Sequence, residues 1–135
     1  MNKELIVVPY KSVGDLSFGM KRDEVRKIMG EYIIIPKEIF SNNSSDSFYN
    51  GKIDCYYNKD DLFYGAIISN EINVILNGKQ ILPISEKDFN NMFDDALLNY
   101  AEESMTFVKS VGLTSYNYDK EVSSLTVGTK EFYEE

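Results

Sequence analysis

A chain of 135 residues with 43% hydrophobic content fits one domain, residues 1–135, large enough to stand without disulfides. One cysteine and no histidine exclude an intramolecular disulfide, a cysteine zinc site and histidine-based triads or metal sites. The net charge of −8 is one-sided, with ten Lys/Arg against eleven Asp/Glu from Met1 to Ile84 and four against eleven from Ser85 to Glu135; such a field repels nucleic acid and attracts cationic partners.

Met1 to Glu4 leads into only four apolar residues, Leu5 to Val8, before Pro9. That run is too short for a signal peptide, and no run in the chain reaches transmembrane length, so the expected place is the cytoplasm. Leu5–Val8 reads as a first strand, and Val13 to Met20 as a glycine-punctuated connection. A helix is predicted over residues 22–29. Val25, Ile28 and Met29 have helical spacing, Asp23 and Glu24 suit its positive end, Arg26 and Lys27 its negative end, and Gly30 is its stop. The stretch from Tyr32 to Asn50 stays open among helix, strand and loop. Ile33-Ile34-Ile35 favours a strand, Lys37 to Phe40 has the length of one helical turn, and Ser41 to Ser47 is polar and loop-like.

A β-meander follows, with strands over 52–57, 62–69, 72–76 and 79–82. Asn77-Gly78 is its strongest hairpin signal, because both residues tolerate positive φ. Alternation sets Ile53, Cys55 and Tyr57 on one face, which makes Cys55 a core residue rather than a nucleophile lacking a base. Ser85 with Asp88 resembles a capping box, and Ile84 with Phe89 a hydrophobic staple. The stripe Phe89, Met92, Phe93, Ala96, Leu97, Tyr100 then predicts a second helix over 86–103. Strands over 106–111, 113–118 and 122–127 follow, with Asp119-Lys120-Glu121 as the last turn and Thr129 to Tyr133 as an added edge strand. The resulting expectation is an α+β fold, a single antiparallel β-sheet with two helices packed on one face. Val25, Ile28, Phe89, Met92, Phe93 and Leu97 are expected to be buried.

The segment Val13-Gly14-x-Leu16-x-Phe18-Gly19-Met20-x-x-x-Glu24-Val25-x-x-x-Met29-Gly30 resembles the helix-opening motif of β-lactamase-inhibitor-like and outer-membrane-assembly lipoprotein-like domains. It is also similar to the start of many small bacterial immunity proteins encoded beside secreted toxins. The match spans residues 13–30, and Lys21 stands where such motifs have Ser or Thr. The resemblance implies a helix followed by a four-stranded antiparallel sheet, in families that mostly bind proteins. It carries over no catalytic residues.

The paired carboxylates Asp23-Glu24, Asp60-Asp61, Asp94-Asp95 and Glu102-Glu103 are sequence neighbours and do not face each other across a cleft, so they read as solvated surface. No phosphate-binding glycine loop or nucleophile elbow is present. Lys21, Arg22, Arg26 and Lys27 form a small basic patch that Asp23, Glu24 and Glu31 dilute; it reads as a solvated helix face. The sharper candidate is the outer face of the second helix. There Leu98 is an apolar residue amid acids, the form of an interface anchor. The partner-binding set is Asp94, Asp95, Leu98 and Glu102, extended by Asp119 and Glu121 if the last hairpin lies alongside. The expected function is that of a cytoplasmic immunity protein, without catalysis, cofactor or metal, that blocks a basic cognate toxin through this acidic surface. Nucleic acid and membrane are not expected partners. Two alternatives stand beside it. One is a ligand-binding or enzymatic domain with a pocket of Tyr56, Tyr57, Phe63 and Tyr64; the other is a structural subunit of a larger assembly.

Overall fold

The computed structural model describes residues 4–38, 42–99 and 104–134. In chain order its first elements are β1 (Leu5–Val8), β2 (Ser12–Val13), β3 (Leu16–Ser17), α1 (Arg22–Met29), β4 (Tyr32–Ile35) and β5 (Ser45–Phe48). The middle of the chain forms β6 (Ile53–Tyr57), β7 (Phe63–Ser69), β8 (Val74–Leu76), β9 (Lys79–Leu82) and α2 (Glu86–Met92). β10 (Ala96–Asn99), β11 (Met105–Val108), β12 (Leu113–Tyr118), β13 (Glu121–Gly128) and α3 (Lys130–Glu134) complete it.

The strands make two sheets, not the single sheet expected. A five-stranded sheet has the order β3-β2-β1-β8-β9, and an eight-stranded sheet the order β10-β11-β12-β13-β7-β6-β5-β4. The large sheet is antiparallel throughout, whereas β1 and β8 of the small sheet run parallel, with Leu5 opposite Val74 and Val7 opposite Leu76. The reason for the second sheet is coverage. The large sheet offers Ile53, Cys55, Ala66, Ile68, Leu113, Leu125 and Val127 to the core, a face too long for two helices of eight and seven residues to cover. Val7, Val13, Leu16, Val74, Leu76 and Ile81 of the small sheet join Val25 and Phe89 in the same buried cluster.

The second helix is the largest local correction. α2 stops at Met92, Phe93 is extended (φ −122°, ψ 131°), and the chain turns through Asp94-Asp95 into β10. Asp favours turns because its carboxylate competes for backbone N–H groups, which ends the helix despite an apolar stripe that runs on. Phe89 is fully buried, Met92 and Phe93 are only partly buried, and Leu97 is 64% exposed. The rest of the predicted helix, Tyr100 to Glu103, lies outside the described residues. On α1, Val25 is buried as expected but Ile28 is exposed.

Two further segments differ from expectation. Ser45–Phe48, within the stretch whose reading stayed open, is a buried strand. The final residues form α3 rather than an edge strand, and Phe132 packs over Gly65 and Gly128, where an added Cβ would come within 2.6 Å of its ring. The absence of a side chain at those two positions is what admits the ring.

Candidate binding surface

β10 is an outermost strand of the large sheet, paired on one side with β11 in the register Leu97↔Phe107 and Leu98↔Thr106. Among the described residues no strand pairs with its other side, and Leu97 and Leu98, 64% and 51% exposed, point to opposite faces of the sheet. α2 lies beside it, fixed at its start. Ser85 Oγ accepts the Asp88 N–H at 3.1 Å, the Glu86 N–H donates to the Lys120 carbonyl at 2.9 Å, and Ser85 bridges to Glu121. These bonds hold the β12–β13 turn against the helix. Asp119 and Lys120 take positive φ there, 51° and 68°. Between helix, turn and edge strand runs an open groove of about 600 Å3 lined by Glu86, Lys87, Asn91, Leu98, Lys120 and Glu121 among others.

The expected partner-binding residues therefore do not share one helix face. Leu98 and Glu121 meet in that groove, and the exposed Asp119 stands at the turn beside Lys120. Asp94 and Asp95 are exposed at the opposite end of β10, near a shallow depression of about 540 Å3 lined by Tyr10, Asp95, Lys109, Ser110 and Lys130. Asp95 accepts from the Ser110 N–H and from Ser110 Oγ, both at 2.8 Å, and these bonds, the backbone one first, hold its carboxyl below the usual range. Asp95 is thus a clasp between the start of β10 and the turn after β11. Tyr10 donates its hydroxyl to the Lys109 carbonyl next to it. Glu102 lies outside the described residues. The acid sits at both ends of the strand, diluted by Lys87 and Lys120 at the groove end and by Lys109 and Lys130 at the Asp95 end.

Of the basic patch expected to be solvated, Lys21 and Lys27 are exposed, but Arg22 and Arg26 are not free. Arg26 binds Asp46 in a bidentate pair, Nε to Oδ2 at 2.8 Å and Nη2 to Oδ1 at 2.9 Å. Arg22 reaches the same carboxylate at 3.3 Å, Asp61 at 2.9 Å and the Ser44 carbonyl at 3.0 Å. Tyr57 donates its hydroxyl to Asp46 Oδ2 at 2.9 Å, and the Asp46 side chain is 0% exposed. Each guanidinium also lies over a ring, Arg22 above Tyr57 at 4.1 Å and Arg26 above Tyr32 at 4.0 Å. The hydrogen bond to Asp46 strengthens Arg26's hold on its proton, and burial pushes the Tyr57 phenol upward. This cluster was hidden in sequence because its acid sits in the polar run Ser45-Asp46-Ser47. The signal that could have found it is Asn50-Gly51, a hairpin turn that makes the preceding residues the partner strand of β6.

The aromatic residues of the ligand-pocket alternative are used in packing on separate contacts. Tyr57 and Phe63 belong to the core, Phe63 stacked on Phe18 at 5.1 Å, while Tyr56 and Tyr64 pack on Phe132 at 6.0 and 5.1 Å. Cys55 is buried, and burial pushes its thiol well up, away from the thiolate a nucleophile needs. Among the described residues, no group of three or more Asp, Glu or Cys side chains is placed to hold a metal ion, and no helix is long and apolar enough to cross a membrane. No protein-family model, curated protein or solved structure matches the chain.

Proposed function

We propose that this chain is a non-catalytic binding module of immunity type, which captures a basic toxin in the cytoplasm and blocks it at the β10 edge. The observation that carries the reading is that edge, an open strand with two leucines more than half exposed and carboxylates beyond both ends. An exposed strand of this kind accepts an extended partner segment through its main chain, while alternate side chains choose the partner. Leu98, beside the α2 groove, is the anchor that a partner's apolar slot would enclose. Asp94 and Asp119 act earlier, drawing a cationic surface toward the strand before contact. The excess of acid after Ile84 gives that attraction its direction, and the likeness of residues 13–30 to immunity proteins agrees with the partner class.

The test is binding kinetics against the product of the reading frame next to this one in its genome. Leu98→Ala should speed dissociation by roughly thirtyfold, the equivalent of about 2 kcal/mol for an anchor residue. Asp94→Lys with Asp119→Lys should slow association, most at low salt where screening is least. Unchanged kinetics in both variants would move the contact surface away from β10 and end this reading.

A further inference from the structure

Four strands close the two sheets at their edges, and two of them are guarded. β3 is two residues long, while β9 carries exposed Lys79 within the strand; short strands and lysine are among the usual means of preventing edge pairing. β10 is the edge assigned above to the partner. β4 has no guard within it. Its sequence is Tyr32-Ile33-Ile34-Ile35, no strand among the described residues pairs with its outer side, and Ile33 and Ile34 are 67% and 53% exposed on opposite faces.

We propose that β4 pairs with itself, joining two copies of this chain through antiparallel β4–β4 contact with the two-fold axis at Ile34. Charge selects this register. With Ile34 opposite Ile34 of the second copy, Ile33 faces Ile35, Tyr32 faces Pro36, and Glu31 faces Lys37, twice over by symmetry. All five apolar pairs and both ion pairs then fall into place together. Slipping by one residue sets Glu31 opposite Pro36 and Lys37 opposite Gly30 in one direction, and Glu31 opposite Glu38 and Lys37 opposite Tyr32 in the other. Neither neighbouring register pairs the charges. Glu31 also lines a groove of about 410 Å3 with Met29, Tyr32, Ile33 and Tyr49, an apolar wall along which the second copy's Lys37 can lay its stem.

The edge is pre-organised for such pairing. Arg26 holds the Tyr32 ring, and β5 behind β4 is anchored through Asp46, so little ordering is left for association to impose. The contact is isologous and stops at the dimer, whereas β4 pairing with β10 of another copy would run on head to tail. It also leaves both β10 edges at the outer ends of the joined sheet, so one dimer presents two partner-binding edges.

Sedimentation equilibrium over a concentration series reaching about 1 mM, the weak limit of specific association, tests the proposal. The expected result is a reversible monomer–dimer equilibrium. Ile34→Lys sets like charges opposite each other on the axis and should weaken the dimer about tenfold or more. Glu31→Lys or Lys37→Glu alone should weaken it about three- to tenfold, and the two together should restore it to within about twofold, because the pair is re-formed with its signs exchanged. Tyr118→Lys, a change at an exposed aromatic residue of β12, should leave the equilibrium unchanged. Circular dichroism checks that each variant folds, and the charge exchange at two exposed positions remains decisive if Ile34→Lys does not. A monomer at every concentration, an Ile34→Lys variant that folds and dimerises normally, a double exchange that fails to restore association, or growth past the dimer would each overturn the proposal.

Discussion

The two outer strands of the large sheet are both four residues long, apolar and open, yet they are held in opposite ways. Behind β4 lies a charged cluster in which Arg22 and Arg26 are spent on Asp46 and Asp61. Behind β10 lies a helix held by an apolar residue, Phe89, and by backbone bonds to the last hairpin. The buried charges behind β4 therefore cancel internally, and Glu31 and Lys37 stand exposed at either end of an isoleucine edge. At β10 the exposed carboxylates stand beyond the strand's ends, with Asp95 tied to Ser110. On the readings proposed above, the same kind of edge takes different partners according to where its neighbouring charges are neutralised.

The strongest way to break the comparison is to remove each support. Asp46→Ala should cost about 3–5 kcal/mol, because it strands the Arg26 guanidinium and the Tyr57 hydroxyl, while Arg22 keeps Asp61 and the Ser44 carbonyl. Phe89→Ala should cost a similar amount, about 3–5 kcal/mol, by opening a cavity under α2. Urea unfolding measures both. Hydrogen exchange should show Asp46→Ala loosening β4 and β5 first, and Phe89→Ala loosening α2 first. A variant that loosens both edges equally would show that the supports are not local.

Alkali should weaken the β6 region that carries the charged cluster. Burial, helped by Asp54, raises the Tyr56 phenol from 10.0 to about 12, and burial also raises Tyr57 and Cys55. The unfolded chain then loses these protons before the native one does. Stability is complete below about 9, where the unfolded thiol begins to ionise, and is lost as pH rises through about 10 to about 12. Denaturant midpoints at a series of pH values check this, and a midpoint that holds constant across that range would contradict it.

At the β10 edge the effects are smaller. Leu98→Ala should change stability by less than about 0.5 kcal/mol, since the side chain is exposed, while costing about 2 kcal/mol in partner binding. Phe93→Ala should cost about 1–2 kcal/mol in stability, less than Phe89→Ala, because Phe93 is only partly buried against the Phe89 ring at 5.2 Å. Lys120→Gly should stabilise the chain by up to about 1 kcal/mol by relieving a positive φ, and it should tighten binding of a basic partner by removing a cation from the groove. Thermal melts separate these three, and a destabilised Lys120→Gly would mean that the turn depends on its side chain.

Local signals made much of this readable in advance. α1, β1, β9 and β12 coincide with their expected bounds, and Asn77-Gly78 marks the turn it was expected to mark. What escaped were features settled by distant partners. The stripe Phe89 to Leu97 carries a helical period that cannot show that Ala96–Asn99 finds a strand partner in β11. Ser45–Phe48 has no apolar pattern of its own, and its Asp46 makes sense only beside Arg22, Arg26 and Tyr57. The division into two sheets depends on β1 meeting β8 across more than sixty residues, and no local pattern records such a pairing. Of the expected site, the open Leu98 and its neighbour Glu121 were readable, but the lysines beside them, Lys87 and Lys120, were not.

Amide hydrogen exchange, followed in the free chain over a range of concentrations and again with the basic partner added, tests the difference between the edges most directly. The account predicts that protection in residues 32–35 rises with the chain's own concentration, and that protection in residues 96–99 rises when the partner is added. Partner-induced protection at β4 with none at β10 would contradict it.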